Sequence, residues 1–447
     1  MTDVVVVGGG VAGLVAARDL AKGGASVVLL EGSGALGGMV RRHTVAGIDL
    51  DMAADSFATR TDAVSGLAVE LGLGNEIVTP DPRGAWLMTR DGRTAPIPAT
   101  GLLGIPGTPM AADVIAVVGG GAAFRAQLDA MLPSPVGARA TSLGQLVRTR
   151  MGAKVLDDLV VPVVAGVHST HPNDLDPDRV APGLRAALQR EGSLARAVLA
   201  LRRRAVAGSA VQGLRGGIAR LVDELVADLD TYRVDVRLHT RATRVERAAV
   251  ETTTDDGRTE RLPADHVLAT VADPTRTAPA RRSGIELVTL VVDRPELDAA
   301  PRGTGMLVHP DATGIGAKAL THATVKWPWL AERAGGRHVL RLSYALPAAG
   351  SDTAADAGDA DAVATSLQVD PRGAVSARAT ADASAMLGLP LGPEHVVGAA
   401  RVRWHGPDAE AAGLAEGVVG IGEASSGRGL SGIVAASRAA AVRILGS

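Results

Sequence analysis

A run of four valines, Val4 to Val7, ends in a turn carrying Gly8, Gly10 and Gly13, and a second apolar run ends at Glu31. No other stretch limits the fold so tightly. Short apolar runs of this kind predict strands, and the residues between them predict a helix. Gly8 permits the turn, Gly10 with Val11 and Ala12 opens the helix so that backbone N–H groups face an anion, and Gly13 lets helix and strand approach closely. Glu31, roughly twenty residues on, suits a ribose hydroxyl, with Gly32 directly after it. The arrangement predicts a dinucleotide held at the first helix.

Length and composition narrow the class. At 447 residues the chain exceeds one ordinary core, so two or more lobes are expected. Lys and Arg total 46 against 48 Asp and Glu, leaving no net field to draw nucleic acid. Cysteine is absent, which excludes disulfides, thiolate metal sites and iron–sulfur clusters, so redox chemistry falls to a bound organic cofactor. The ten histidines show no HExxH-type spacing, and no metal site is expected. No stretch sustains eighteen apolar residues without glycine or charge, so stable membrane insertion is not expected and the reading is a cytoplasmic protein.

Along the chain, Gly34 to Gly38 form a second glycine-rich turn, followed by strand-like residues through Arg42. Residues 53–72 read as a loop with Asp55 and Ser56, then a helix stopped by Gly72; Trp86 to Met88 with Gly92 read as a hairpin. From 110 to 205 the period is helical, with helices over 111–118, 122–132, 142–151, 154–164 and 185–201. A helix over 218–229 and strands near 234–238, 242–250 and 266–270 return to α/β character. Strands near 286–292, 304–309, 317–325 and 338–344 predict a second sheet, and 347–361 a small, acidic surface loop. Val418 to Ile421 reads as a strand, followed by Gly422-Glu423, a block with Gly427, Gly429 and Gly432, and a helix over 433–445. A second glycine-lined helix start beside a carboxylate suits the far part of the same cofactor.

These segments resemble a known family. VVVVGGGVAGLVAARDLA, LLEGSGALGGMV, AADSF, PIPATGLLGIPGTP, SLGQLVRTRMGAKVLDDLVVPVVAGVHS, VKWP, VRWH and GIGEASSGRGLSG are similar to the FAD-dependent protoporphyrinogen and coproporphyrinogen III oxidases, and more to the bacterial coproporphyrinogen III type. The first two are shared with the wider flavin amine oxidase superfamily. The resemblance implies an α/β fold: a Rossmann-like FAD-binding domain (1–80, 206–275, 399–447), a mixed-sheet substrate domain (81–98, 276–398) and a helical insertion (99–205). It places FAD against Gly8, Gly10, Val11, Ala12, Gly13, Glu31, Gly32, Gly37, Gly38, Met39, Ala53, Asp55, Ser56, Val245, Trp404, Gly422, Glu423, Gly429 and Leu430.

It further implies that a porphyrinogen loses hydride to the flavin N5, with O₂ reoxidising the flavin to give hydrogen peroxide in haem biosynthesis, and weak contact with haem-pathway enzymes. His168 is the one side chain put forward for orientation or proton relay. Propionates on such a substrate need cations, for which Lys326, Arg83 and Arg185 are the candidates. Pro407 to Gly417 is shorter than the matching stretch of relatives, and ASSGRGLSG lacks their Pro-Asp. A flavin amine oxidase or desaturase, and a degenerate FAD-binding paralogue, stay open as alternatives; NAD alone leaves the second turn and the last glycine block unused.

Overall fold

The computed structural model describes residues 3–168, 170–204, 211–270, 284–346, 365–405, 414–422 and 429–446. Its first layer grows from the valine run. Val4–Val7 pairs in parallel with Val27–Leu30 on one side and His266–Ala269 on the other. Asp235–Arg237 and Val419–Gly420 extend the two flanks, also in parallel, so five strands from three distant stretches of chain share one sheet. All residues of Val4–Val7 and Val27–Leu30 are buried, because this sheet is covered on both faces.

On one face lie three helices, Val11–Lys22, Arg220–Thr231 and Leu430–Leu445, which bring Leu14, Leu225 and Val434 into a single core. On the other, the antiparallel strands Thr240–Glu246, Ala249–Thr254 and Thr259–Pro263 set Val245, Val250 and Leu262 against Val5, Val7 and Leu30. The result is a three-layer α/β unit.

A second sheet of eight strands runs in the order Thr365–Gln368, Val396–His405, Gly284–Val292, His338–Leu346, Ala319–His322, Gly305–Val308, Trp86–Met88, Thr94–Pro96. Neighbours are antiparallel except Gly305–Val308 with Trp86–Met88. Side chains alternate between its faces. Val288, Leu290 and Val292 meet Ala379, Ala383 and Met386 of the helix Ala374–Leu387. Val291, Val339 and Ala400 turn the other way, against Val45, Ile48 and Leu50 of the hairpin formed by Arg42–Val45 and Ile48–Asp51.

Between 112 and 204 the helices close around their own core, including Val114, Leu146, Leu159, Leu188 and Val198. This part touches the second sheet where Gly166 approaches Leu307; a Cβ there would lie 2.7 Å from the leucine side chain. No single helix among the described residues is long and apolar enough to cross a membrane.

Several expected elements differ in detail. The helix expected over 185–201 is two, Leu184–Glu191 and Leu194–Arg204, because Gly192 adopts φ 77° and ends the first. The 154–164 helix contains a π turn, Leu156–Val160, before Val161–His168. Pro162 cannot donate to the Asp158 carbonyl and its ring crowds that oxygen, so the helix widens there. The strand expected over 242–250 is a hairpin of two, and that over 317–325 stops at His322, where Ala323–Lys326 forms a helical turn. The loop expected at 347–361 lies outside the described residues.

Candidate functional site

Backbone geometry at the first turn follows from its glycines. Gly8 adopts φ 102° and donates to the Leu30 carbonyl at 2.8 Å, while a Cβ on Gly13 would lie 1.9 Å from the Gly8 carbonyl oxygen. Only glycine fits either position. Gly10 begins the helix Val11–Lys22 with no side chain capping it, so the first helical N–H groups of Val11 and Ala12 have no intrahelical acceptor. Among the described residues, its chain neighbours aside, the nearest atom to a Cβ built on Gly10 is the Cα of Gly38, at 4.0 Å.

The second glycine turn closes over this helix start. Gly37 donates to the Gly9 carbonyl at 2.8 Å, Gly10 and Gly37 bridge in parallel, and Gly37 and Gly38 adopt φ 100° and 59°. Glu31 lies beneath, 8% exposed, accepting from Gly9 N at 2.7 Å and Ser33 N at 2.8 Å. These two bonds leave half of the carboxylate's acceptor capacity for a hydroxyl. Gly32 passes close to Arg241, with 3.7 Å between a built Cβ and the arginine Cβ.

The end of the chain returns to the same place. Ile421 donates to the Ala269 carbonyl beside the valine strand, and a Cβ on Gly422 would lie 3.6 Å from that of Ala12. Gly429, at φ 105°, starts the final helix at Leu430, and Ser431 Oγ ties that start to the Ala58 carbonyl at 2.9 Å. At its far end the helix lies on Gly23, where a Cβ would collide with Leu445. Glu423 and Gly427 lie outside the described residues.

Two further expected residues, Trp404 and Val245, come from the second sheet and the three-stranded layer. Trp404 and Leu287 pack with Met39, Met52 and Val402, joining that sheet to the second glycine turn. Val245 is buried in the three-stranded layer, 3% exposed. A buried helix start with uncapped N–H groups, a side-chain-free approach at Gly10 and Gly38, and a carboxylate below them fit a dinucleotide-type cofactor.

Ala53, Asp55 and Ser56 lie on the loop leading from the hairpin, and here the structure adds residues that sequence reasoning missed. Asp55 accepts from Lys326 Nζ at 2.9 and 3.1 Å and from Trp327 Nε1 at 3.3 Å, and Ser56 Oγ donates to it at 3.0 Å. Arg341 Nη1 stands 3.7 Å from the same carboxylate, while its Nη2 donates to the Ala53 and Met52 carbonyls at 2.5 and 3.4 Å. Burial opposes ionisation of Asp55, but Lys326 and then Arg341 outweigh it and hold the carboxyl far below its usual range. Asp51 behaves oppositely: burial pushes it up to about 6, against the Ala219 and Ile218 N–H groups that donate to it. His43, buried and near Arg341, is pushed down to about 4.

Of the three expected substrate cations, Arg83 and Lys326 lie on adjoining segments, Asp81 N donating to the Lys326 carbonyl at 3.0 Å, and each of the three has an acidic partner of its own. Lys326 forms an ion pair with Asp55 at 2.9 Å. The cavity beside Asp51, Asp55, Trp327 and Arg341 is only about 20 Å³, room for one water and no substrate. Arg185 donates to the Ala138 and Ala140 carbonyls at 2.8 and 2.6 Å and pairs with Asp178 at 2.7 Å, so it ties the helical part together. Arg83 grips Asp81 at 2.9 and 3.0 Å but stays 54% exposed. His168 ends the helix Val161–His168, and its side chain lies outside the described residues. Arg341 had a signal in the sequence, a lone cation inside the apolar run His338 to Leu346.

Comparison with known proteins agrees with this geometry. A solved structure from Exiguobacterium sp. 255-15, provisionally named a protoporphyrinogen oxidase, matches with a TM-score of 0.77 at 23% identity, over 99% of this chain and 98% of that one. Putrescine oxidase bound to putrescine matches with a TM-score of 0.59 at 16% identity, over 100% and 99%. Both likenesses speak for the fold. By sequence, the coproporphyrinogen III oxidase of Propionibacterium freudenreichii subsp. freudenreichii is 27% identical over 372 residues, 72% of this chain and 69% of that protein. That of Mycobacterium tuberculosis (strain ATCC 25618 / H37Rv) is 28% identical over 357 residues, 76% and 75%. The family profile of flavin containing amine oxidoreductases matches residues 11–279, more than half of the chain. A helix start shaped for a dinucleotide thus lies in a chain that belongs to the flavin containing amine oxidoreductases.

Proposed function

We propose that the protein is an FAD-dependent oxidase that dehydrogenates a porphyrinogen, coproporphyrinogen III or protoporphyrinogen IX, to the porphyrin, with O₂ as acceptor and hydrogen peroxide as product, in haem biosynthesis. The observation that carries the reading is the similarity to coproporphyrinogen III oxidases over some three-quarters of the chain, in a molecule whose two ends meet around an open glycine cradle.

In this reading the N–H groups of Val11 and Ala12 bind the pyrophosphate, Gly10 and Gly38 admit it, and Glu31 takes the ribose hydroxyls. Gly37, Met39 and the Ala53 to Ser56 loop follow the cofactor toward Trp404. Gly422, Gly429 and Leu430, with Glu423, close it from the C-terminal side. Bound there, FAD supplies a hydride acceptor and a path for electrons to O₂. The chain's own task is to hold a reduced, electron-rich macrocycle at the right distance and angle, which needs neither a nucleophile nor a strong base. In this reading Arg83, the most exposed of the three expected cations, meets a substrate carboxylate; its 54% exposure supports the role.

Purified protein loaded with FAD and mixed with coproporphyrinogen III in air should produce porphyrin fluorescence together with about three molecules of peroxide per porphyrin. Protoporphyrinogen IX run alongside sets the preference. A yellow, flavin-loaded protein that leaves both unchanged above the spontaneous rate overturns the reading in favour of a paralogue without this activity.

A further inference from the structure

The cluster around Asp55 is chemically costly, and its cost identifies its role. Asp55 and Lys326 are 17% and 16% exposed, Arg341 7%, and all three lie between the second sheet and the loop that leaves the hairpin. Removing such charges from water is costly, and well-packed apolar side chains would join the two layers as firmly. What apolar packing does not supply is direction. Lys326 and Trp327 come from the turn after Ala319–His322, and Arg341 from His338–Leu346. Lys326 and Trp327 Nε1 fix both oxygens of Asp55, while Arg341 grips the backbone carbonyls of Met52 and Ala53 on the same loop.

The clamp is braced from behind. A Cβ on Gly213 would lie 2.6 Å from the Trp327 ring, so that ring rests directly on the Gly213 backbone. Asp51, on the strand that precedes the loop, is itself held by Ile218 N and Ala219 N at 3.0 Å each. Loop residues 52–56 are therefore fixed by side-chain bonds at three successive points, Met52, Ala53 and Asp55. Met52 also packs with Met39 and Trp404.

We propose that Lys326 and Arg341 are positioning residues that hold the Met52 to Ser56 loop, through Asp55 and the Ala53 carbonyl, in the geometry that receives the flavin. The inference rests on the reading of Ala53 to Ser56 as a cofactor contact. It assigns Lys326 to the cofactor side of the molecule and removes it from the substrate carboxylates.

The test uses the full chain, stripped of flavin and titrated with FAD, with three variants: Lys326→Met, Lys326→Arg and the charge-neutral double Asp55→Asn/Lys326→Met. Lys326→Met should weaken FAD binding roughly tenfold or more, shift the visible band of the bound flavin, and lower its midpoint potential because Asp55 is left uncompensated. Lys326→Arg should recover most of each change. The double variant removes both charges and so should melt close to the unmodified protein, yet bind FAD weakly, since direction is lost with the pair. A double variant with unaltered affinity, band and potential overturns the positioning role and leaves the cofactor reading standing. An unmodified chain that takes up no FAD overturns both.

Discussion

His322 and His338 form a buried pair, with Nε2 of the first 3.0 Å from Nδ1 of the second, and His338 Nε2 reaching Asp298 at 3.3 Å. Burial, then His338, pushes His322 down to about 3, and burial also lowers His338. Because an unfolded histidine titrates near 6.5, the unfolded chain takes up protons before the folded one. The stability these groups contribute is complete above pH ~6.5 and is lost as the pH falls through that value toward the folded pKa. His43, pushed down to about 4, adds to the loss. Asp51, pushed up to about 6, has the opposite sign, since its contribution is full below its ordinary value and lost as pH rises past about 6. Urea midpoints should fall between about pH 7 and about pH 5, and fall less steeply in His322→Asn. Parallel pH profiles for the two proteins would contradict this account of the pair.

At the same scale, legibility depends on whether a residue's job is local. Gly8 and Gly13 serve a turn within six positions of each other, so their spacing alone states the geometry. Lys326 serves Asp55, 271 positions away, and no local pattern distinguishes that lysine from one facing a substrate. Arg185 was obscured in the same way, its partners being backbone carbonyls at 138 and 140.

At the scale of elements, the helical part is pinned by one arginine. Arg150, fully buried near the end of Leu143–Met151, pairs with Asp129 and donates to the carbonyls of Pro133, Val136 and Gly192 at 3.1, 2.9 and 3.1 Å. Asp129 also accepts from Ala195 N at 3.0 Å. One side chain thereby joins a helix, the loop before it and the break at Gly192. Arg150→Met should cost about 3–5 kcal/mol in urea unfolding, because it strands a buried carboxylate among unpaired carbonyls. A loss within ~0.5 kcal/mol, the level of an ordinary surface change, would contradict it. The break at Gly192 and the π turn before Pro162 were both written in the sequence as helix breakers, but apolar periodicity runs through them and conceals where one helix stops. The Val4–Val7 and His266–Ala269 strands were legible because a short apolar run, Val4 to Val7 in one and Val267 to Ala269 in the other, suits a covered parallel sheet.

Over the whole molecule, the central arrangement is the return of the chain to its own beginning. Strand Val419–Gly420 joins the sheet nucleated by Val4–Val7 through His266–Ala269, and the last helix packs against the first. Nothing local in either segment shows this; the sequence signals were the two glycine-lined helix starts, which pointed to a shared ligand, and the family resemblance, which put 399–447 in the same domain as 1–80. Gly10 allows that idea to be tested apart from folding. Its backbone, at φ −72° and ψ 175°, lies in the extended region open to residues with a side chain, and a Cβ there meets, among the described residues and its chain neighbours aside, only Gly38 Cα at 4.0 Å.

The deciding measurement is the FAD affinity of Gly10→Ala beside that of the unmodified chain, with the melting temperature of each taken without flavin. A cradle that admits a pyrophosphate between Gly10 and Gly38 predicts equal melting temperatures and a loss of affinity of roughly a hundredfold or more. Equal affinity in the two proteins would show that no dinucleotide passes there.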